Sequence, residues 1–152
     1  MSLELLINNS IKEAMRSKDR RKLEALRAIK SALLLEKTGK DTSSGEIPED
    51  VELAILQKLV KQRKESAAIY IENNRKELAE DELFQASVIE DFLPEQMSEE
   101  EIKTVIDSII KTQGATSIKD MGKIMGISSK QLAGKADNKM IASIVKQMLN
   151  NI

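Results

Sequence analysis

Apolar residues recur at helical spacing along almost the whole of this 152-residue chain. In residues 3 to 16, the side chains expected on one helical face are Leu3, Leu6, Ile7, Ile11, Ala14 and Met15. In the next segment, which Asp19 can cap and Gly39 ends, they are Leu23, Leu26, Ile29, Leu33 and Leu34. No segment keeps the alternation of apolar and polar residues that is typical of strands. The pattern predicts an all-helical protein that begins with two antiparallel helices.

Further helices are predicted from the same spacing and from capping residues. They are expected from Pro48 to Ile71, through Leu78 to Ile89, from a capping box at Ser98–Glu101 to Gly114, from Ile118 to Met125, and from Asn138 to about Asn150. Residues 38 to 46 contain no large apolar side chain, so this stretch is predicted to be a mobile loop.

The Leu93–Pro94 bond is the predicted boundary between two subdomains. A residue that precedes proline is disfavoured in helical geometry, so the chain is expected to turn at Leu93. The sequence is thereby divided into an N-terminal helical bundle, residues 1–93, and a small C-terminal three-helix subdomain, residues 94–152.

The composition excludes several classes of function. The chain has no cysteine and no histidine, which removes disulfides, thiol chemistry and the commonest general base and metal ligand. No run approaches the roughly 18 apolar residues of a membrane span, and the N-terminus lacks the continuous apolar stretch of a signal peptide. The cytoplasm is the expected compartment, and no membrane partner is predicted.

Paired carboxylates are the remaining route to acid–base catalysis, and the acidic segment, residues 77–101, is where they could occur. This segment holds ten Asp or Glu residues and no basic residue. However, Glu80, Asp81 and Glu82 are consecutive and point in different directions on a helix. A solvated charged face is the preferred interpretation.

Two other motifs resemble active-site or nucleotide-binding sequences only superficially. Ser128, Ser129 and Lys130 have the residue types of a serine amidase, but neighbours in a short loop do not face one another, so a loop or helix cap is preferred. The Gly122–Lys123 and Gly134–Lys135 pairs lack the earlier glycine and the following hydroxyl residue of a phosphate-binding loop. No catalytic residue, cofactor or metal is predicted.

The last third of the chain has the most specific arrangement of glycines, capping residues and lysines. Gly114, Gly126 and Gly134 are expected to end or bend the chain where a Cβ would be strained, and Ser117 and Asp137 to cap the helices that follow. The local net charge is +4, from the lysines Lys119, Lys123, Lys130, Lys135, Lys139 and Lys146 and the carboxylates Asp120 and Asp137.

These lysines could bind phosphates together with free backbone amides at helix starts, or could only keep the surface soluble. Two more basic stretches lie earlier in the chain, at Arg16, Lys18, Arg20, Arg21, Lys22, Arg27 and Lys30, and at Lys58, Lys61, Arg63 and Lys64. With only three aromatic residues there is no platform on which single-stranded bases could stack. Any RNA is therefore expected to bind through its backbone and shape.

Five motifs, taken in order, resemble those of the YqeY family. They are Leu26–Lys30 (LRAIK), Gln62–Ser66 (QRKES), Phe92–Met97 (FLPEQM), Asp120–Gly126 (DMGKIMG) and Gly134–Asp137 (GKAD). The resemblance spans nearly the whole chain, with one departure at Asn138, where the family pattern more often has glycine. The family is similar to the tail of the B subunit of the tRNA-dependent amidotransferases, which convert glutamyl or aspartyl groups on tRNA to the amides.

The resemblance implies two helical subdomains, the second similar to that tail. In the amidotransferase this module helps to hold tRNA, while the catalytic parts belong to other domains and subunits. The chain is therefore expected to be accessory to carbon–nitrogen ligase chemistry with glutamine as amido-N-donor, and not to catalyse it alone. Its expected partner is tRNA, with an amidotransferase or an aminoacyl-tRNA synthetase as further candidates.

Three hypotheses follow from the sequence, of which the third is an enzyme that acts unaided. In the first, the chain is a free-standing tRNA-interacting module in which Lys119, Lys123, Lys130, Lys135 and Lys139 touch phosphates. In the second, it is a helical protein-interaction adaptor without RNA binding, in which the acidic segment and the long helices dock another protein.

Overall fold

The structure, a computed structural model, describes residues 2–39 and 46–152. All regular secondary structure in these residues is helical, as predicted. The helices are α1 (Leu3–Arg16), α2 (Arg20–Gly39), α3 (Glu49–Glu72), α4 (Lys76–Glu90), α5 (Glu99–Gln113), a 3-10 helix (Ile118–Asp120), α6 (Met121–Gln131) and α7 (Asn138–Asn150). Most of the loop predicted over residues 38 to 46 lies outside the described residues, although Thr38 and Gly39 belong to α2.

The chain divides into two compact units, an N-terminal unit that ends at Leu93 and a C-terminal unit that runs from Pro94 to Ile152. In the N-terminal unit, α1 packs on α2, α2 packs on α3 and α4, and α3 and α4 form the most extensive helix pair. The core of this unit is aliphatic, and its fully buried large side chains are Ile7, Leu26, Ile29, Leu56 and Ile89.

Some apolar side chains that were predicted to face this core lie on the surface instead. Leu34 and Met15 are each 57% exposed, and Leu6 is also exposed. Fewer residues of α2 are buried than its apolar pattern predicts. Leu33 is the last buried residue, and Leu34 points about 100° further round the helix. The N-terminal unit therefore carries apolar side chains that its own core does not use.

Helix starts follow the predicted capping residues, with one correction. The Asp19 carboxylate accepts a hydrogen bond from the backbone amide of Lys22 at 3.2 Å, at the start of α2. At α5 the Ser98 hydroxyl accepts from the amide of Glu101 at 3.2 Å, as predicted. The Glu101 carboxylate, however, accepts from the Ser98 hydroxyl at 3.1 Å instead of reaching the backbone, so the second half of the predicted capping box is wrong.

The C-terminal unit has a separate core, built by α5, α6 and α7. Helix α6 contacts both α5 and α7, and the 3-10 helix contacts α6 and α7. The buried side chains at its centre are Ile102, Ile106, Ile124, Leu132, Ile141 and Val145. This core fixes the directions in which the lysines of α6 and α7 project.

Candidate nucleic-acid interface

Lys119 lies in a 3-10 helix that is held by a complete capping box. The Ser117 hydroxyl accepts from the backbone amide of Lys119 at 3.3 Å. The Asp120 carboxylate accepts from the backbone amides of Thr116 at 3.0 Å and Ser117 at 3.4 Å. Because this carboxylate is turned toward two backbone amides, the local fold is fixed while the side chain of Lys119 stays exposed to solvent.

Lys123 and Lys130 lie on α6 and share its solvent face. They are seven residues apart, which is about two turns or roughly 10 Å along the helix axis. Ile124 and Ser128 are the buried residues of this helix, so the two lysines point away from the core. Both side chains are exposed.

The structure corrects two predictions about α6. The helix that was predicted to end at Met125 continues to Gln131, so Ser128, Ser129 and Lys130 lie in a helix and not in a loop. Gly126 does not end the helix, because it lies inside α6, and among the described glycines only Gly114 and Gly134 have positive φ angles. A Cβ built on Gly122 or on Gly126 would meet no atom within 4 Å, so the packing of this chain does not require glycine at either position.

Lys135 lies in the tight connection between α6 and α7. Gly134 has a φ of 76°, a conformation that favours glycine, and its carbonyl accepts from the Gln96 side-chain amide at 2.7 Å. The carbonyl of Lys135 accepts from the amide of Met97 at 3.0 Å, and its own amide donates to the carbonyl of Leu132 at 2.9 Å. The backbone of Lys135 is thus held from both sides while its side chain is exposed.

Lys139 lies in the first turn of α7, where the Asp137 carboxylate caps the helix by accepting from its backbone amide at 3.1 Å. Lys146 follows seven residues later and therefore shares its face. Ile141, Ile144 and Val145 fill the opposite, buried face. The α7 lysines project into solvent as those of α6 do.

The lysines of the C-terminal unit fall into two electrostatic groups. On α5, Lys103 pairs with Glu99 at 3.4 Å and Lys111 pairs with Asp107 at 2.9 Å. By contrast, within residues 2–39 and 46–152 no carboxylate comes within 4.0 Å of the ammonium groups of Lys119, Lys123, Lys130, Lys135, Lys139 or Lys146. Asp120 and Asp137, the nearest acids in sequence, are turned toward backbone amides. The second group is available to an anionic ligand.

Several basic residues of the N-terminal unit already make ion pairs or hydrogen bonds with other side chains of that unit. Arg21 pairs with Asp81 at 2.7 Å, and its guanidinium lies 4.5 Å from the centroid of the Phe84 ring. Lys64 pairs with Glu90 at 2.7 Å, and Arg63 donates to the Gln85 side chain at 3.1 Å. Asp81 and Glu90 of the acidic segment are therefore paired with basic residues of the N-terminal unit.

The motif Ser128, Ser129 and Lys130 does not present Ser128 to solvent. Ser128 is fully buried within the C-terminal unit and cannot meet a substrate, and its hydroxyl has no hydrogen-bond partner among the described residues. In the described part of the chain, no three His, Cys, Asp or Glu side chains are placed to hold a metal ion. The described helices also include none that is long and apolar enough to cross a membrane.

Sequence reasoning missed the role of Gln96 and Met97. These residues follow Pro94 and fasten the Gly134–Lys135 turn from a distant part of the sequence. The only sequence signal was their place in the Phe92–Met97 motif, which does not reveal what they contact.

Comparison with known proteins identifies a family and a yeast relative. The sequence model of the family described as "Yqey-like protein" matches residues 5–149. The chain is also 28% identical to altered inheritance of mitochondria protein 41, mitochondrial, of the yeast Vanderwaltozyma polyspora, over 96% of this chain and 81% of the yeast protein.

Proposed function

This chain belongs to the YqeY family, and from that premise we propose that it is a tRNA-interacting accessory module whose C-terminal unit contacts the phosphate backbone. The observation that carries the proposal is a group of exposed lysines on the 3-10 helix, on α6, in the α6–α7 connection and on α7, none of which is paired with a carboxylate of residues 2–39 or 46–152. We call this set, Lys119, Lys123, Lys130, Lys135 and Lys139, the lysine surface.

The lysine surface differs from α5, whose lysines Lys103 and Lys111 are paired with carboxylates. Surface ammonium groups that are already paired gain little by exchanging one carboxylate for a phosphate, whereas unpaired ones release bound counterions when a nucleic acid binds. The carboxylates beside the lysine surface support the fold by capping and are not placed to neutralise it. Since no aromatic side chain lies in the C-terminal unit, the expected contacts are to phosphates and not to stacked bases.

The exposed glycines of α6 would allow a bulky ligand to approach the helix backbone closely. Glycine in a helix interior costs roughly 1 kcal/mol relative to alanine. A Cβ at Gly122 or Gly126 would have no neighbour within 4 Å, so the chain's own packing does not offset that cost. A sugar–phosphate backbone lying against α6 would make use of the missing side chains.

The accessory part of the proposal follows from the family resemblance to the amidotransferase tail. In this account, carbon–nitrogen ligase chemistry with glutamine as amido-N-donor is performed by other proteins, and this chain holds the tRNA. An amidotransferase or an aminoacyl-tRNA synthetase is the proposed protein partner, and the cytoplasm is the proposed compartment.

Filter binding of tRNA across a series of salt concentrations tests the proposal. Affinity should fall steeply with salt, and Lys123→Ala with Lys135→Ala should lower the salt slope by about 2 and weaken binding at low salt by about tenfold or more. The matched control is Lys103→Ala with Lys111→Ala, which removes the same charge from α5. No affinity at low salt, or equal losses in both double variants, would end the proposal.

The alternative hypothesis, an adaptor that docks another protein through the acidic segment, has less support. Asp81 and Glu90 of that segment are paired with Arg21 and Lys64 within the N-terminal unit. Pull-down after nuclease treatment separates the hypotheses, because an adaptor keeps its partners and an RNA-dependent complex loses them.

A further inference from the structure

The turn between α1 and α2 holds a lysine in a backbone conformation that lysine rarely adopts. Helix α1 ends in a Schellman motif, in which the amide of Lys18 donates to the carbonyl of Met15 at 3.3 Å and the amide of Asp19 donates to the carbonyl of Ala14 at 3.0 Å. The left-handed position of this motif is Lys18, whose φ is 58°. Glycine adopts this conformation freely, whereas a residue with a Cβ is strained in it.

Two other helices end in the same motif, with residues better suited to it. The left-handed residue is Asn74, with a φ of 58°, at the end of α3, and Gly114, with a φ of 65°, at the end of α5. Asparagine and glycine are the residues that usually take this position. Either would form the α1–α2 turn with less strain, so the fold does not explain Lys18. Strain that the fold does not explain is typical of positions that contact a ligand.

Lys18 is one of five exposed cations at the same end of the α1–α2 pair. Because Lys37 pairs with Glu4 at 3.1 Å, the two helices are antiparallel, and the end of α1 lies beside the start of α2. We call the five exposed side chains the turn cations, and they are Lys12, Arg16, Lys18, Arg20 and Arg27.

The turn cations point away from the core of the N-terminal unit. Lys12 and Arg16 are one helical turn apart on α1, and Arg20 and Arg27 are two turns apart on α2. On each helix these positions lie opposite the buried residues. The two helices therefore present their cations to solvent on both sides of Lys18.

Carboxylates do not neutralise this surface. In the described part of the chain, no carboxylate lies within 4.0 Å of a charged group of the turn cations. Asp19 accepts from the backbone amide of Lys22 at 3.2 Å, and Glu24 accepts from the side-chain amide of Gln85 at 3.4 Å. The turn cations are thus an uncompensated group in a chain whose net charge is −1.

The phosphates of a nucleic acid fit this surface better than a membrane or a protein. Interfacial membrane binding and protein docking both need apolar side chains. Among the described residues of α1 and α2, Met15 is the one large apolar side chain exposed at this end, since Leu34 and Leu35 lie toward the opposite end of α2. Three of the turn cations are arginines, whose planar guanidinium binds phosphate in a bidentate geometry.

We propose that the turn cations bind the phosphate backbone of RNA, as a second contact to the tRNA that the lysine surface holds. This inference rests on the proposed function for the identity of its ligand. One RNA that touches both units of the chain is held more tightly than by either unit alone, because the second contact forms within a complex that already exists.

Filter binding of tRNA to the full chain across a salt series tests the inference. Arg16→Gln with Lys18→Asn should weaken binding at low salt by about fivefold and lower the salt slope by about 2. The matched control, Lys58→Gln with Lys61→Gln, removes the same charge from exposed positions of α3 and should change the affinity far less. Equal affinities of the two double variants would overturn the inference.

Lys18→Asn alone separates ligand binding from folding. Asparagine holds the same conformation at Asn74, so the midpoint of thermal unfolding should rise by about 2–4 °C while the affinity for tRNA falls by about twofold. Lys18→Arg keeps the charge and should preserve the affinity. A less stable Lys18→Asn chain would show that the lysine serves the fold, and a more stable chain with unchanged affinity would show that it contacts no RNA. Either result would overturn the inference.

The two RNA-binding surfaces can fail separately. If Lys123→Ala with Lys135→Ala loses affinity while Arg16→Gln with Lys18→Asn does not, the turn cations are excluded and the lysine surface stands. The reverse result supports the turn cations and excludes the lysine surface. A parent chain that binds no tRNA at low salt excludes both, and co-sedimentation of that chain with phosphatidylserine vesicles would assign the turn cations to a membrane instead.

Discussion

Glu52 is a single residue whose ionisation opposes folding. Partial burial and the neighbouring Glu49 carboxylate raise its pKa above the ordinary value of 4.5, with a smaller contribution from Glu4. A hydrogen bond from the backbone of Leu3 opposes the shift. Because the folded chain holds this proton more tightly than the unfolded chain, the corresponding stability is present below the unfolded pKa and is lost as the pH rises through the folded pKa.

Glu52→Gln is therefore expected to be more stable than the parent chain at neutral pH. The amide cannot ionise, so the advantage should shrink as the pH is lowered and vanish below about 4.5. Urea unfolding at several pH values measures this difference. The control is Glu65→Gln, an exposed glutamate on the same helix, and a difference for Glu52→Gln that does not depend on pH would contradict the prediction.

Ser128 is a buried residue whose hydroxyl has no hydrogen-bond partner in the described part of the chain, and removal of this hydroxyl is expected to stabilise the C-terminal unit. Leaving a buried polar group unsatisfied costs about 1–3 kcal/mol, whereas Ser128→Ala removes only one oxygen atom from the core. We expect the free energy of unfolding to rise by about 1 kcal/mol, as measured by urea denaturation. Ser129→Ala, at the partly exposed neighbouring position, is the control. A clear loss of stability in Ser128→Ala would mean that the hydroxyl is hydrogen-bonded in solution.

At the scale of the helix, a substitution at a glycine of α6 is expected to change the stability of the chain and its affinity for tRNA in opposite directions. Gly126→Ala should raise the free energy of unfolding by about 0.5–1 kcal/mol, because alanine favours the helix and its methyl group meets no neighbour. The same methyl group would stand between Lys123 and Lys130 on the solvent face, so the affinity for tRNA should fall. Thermal unfolding and filter binding on one sample measure both quantities.

The control for Gly126→Ala is Ser108→Ala, an exposed site on α5, where the cations are paired. This substitution should improve helix propensity and leave tRNA affinity unchanged. If Gly126→Ala is more stable and binds tRNA as tightly as the parent chain, close approach of RNA to α6 is excluded.

The helices could be predicted from the sequence more securely than their surfaces. The capping residues Asp19, Ser117 and Asp137 mark helix starts as expected, because a cap is a local interaction. Helix α6 was predicted too short, since Gly126 and the serines that follow suggest a break; packing of Ile124 and the core beyond it overrides that propensity. The exposure of Leu34 was missed because the width of a buried stripe depends on which helices pack against it.

At the scale of the whole chain, charge could be counted from the sequence but its pairing could not. The sequence shows basic stretches and an acidic segment but not their contacts, and the ion pair between Arg21 and Asp81 brings part of each together. The lysines proposed to contact tRNA were chosen from the sequence. That no carboxylate of the described residues pairs with them depends on how Asp120 and Asp137 turn toward backbone amides, which only the folded chain reveals.

An NMR titration of the full chain with tRNA at low salt tests the central claim most directly. The lysine surface predicts that amide chemical shifts change mainly over residues 116–139 and around Lys146, and that added salt reverses these changes. Shifts confined to the N-terminal unit, with residues 116–139 unaffected at saturating tRNA, would contradict the account.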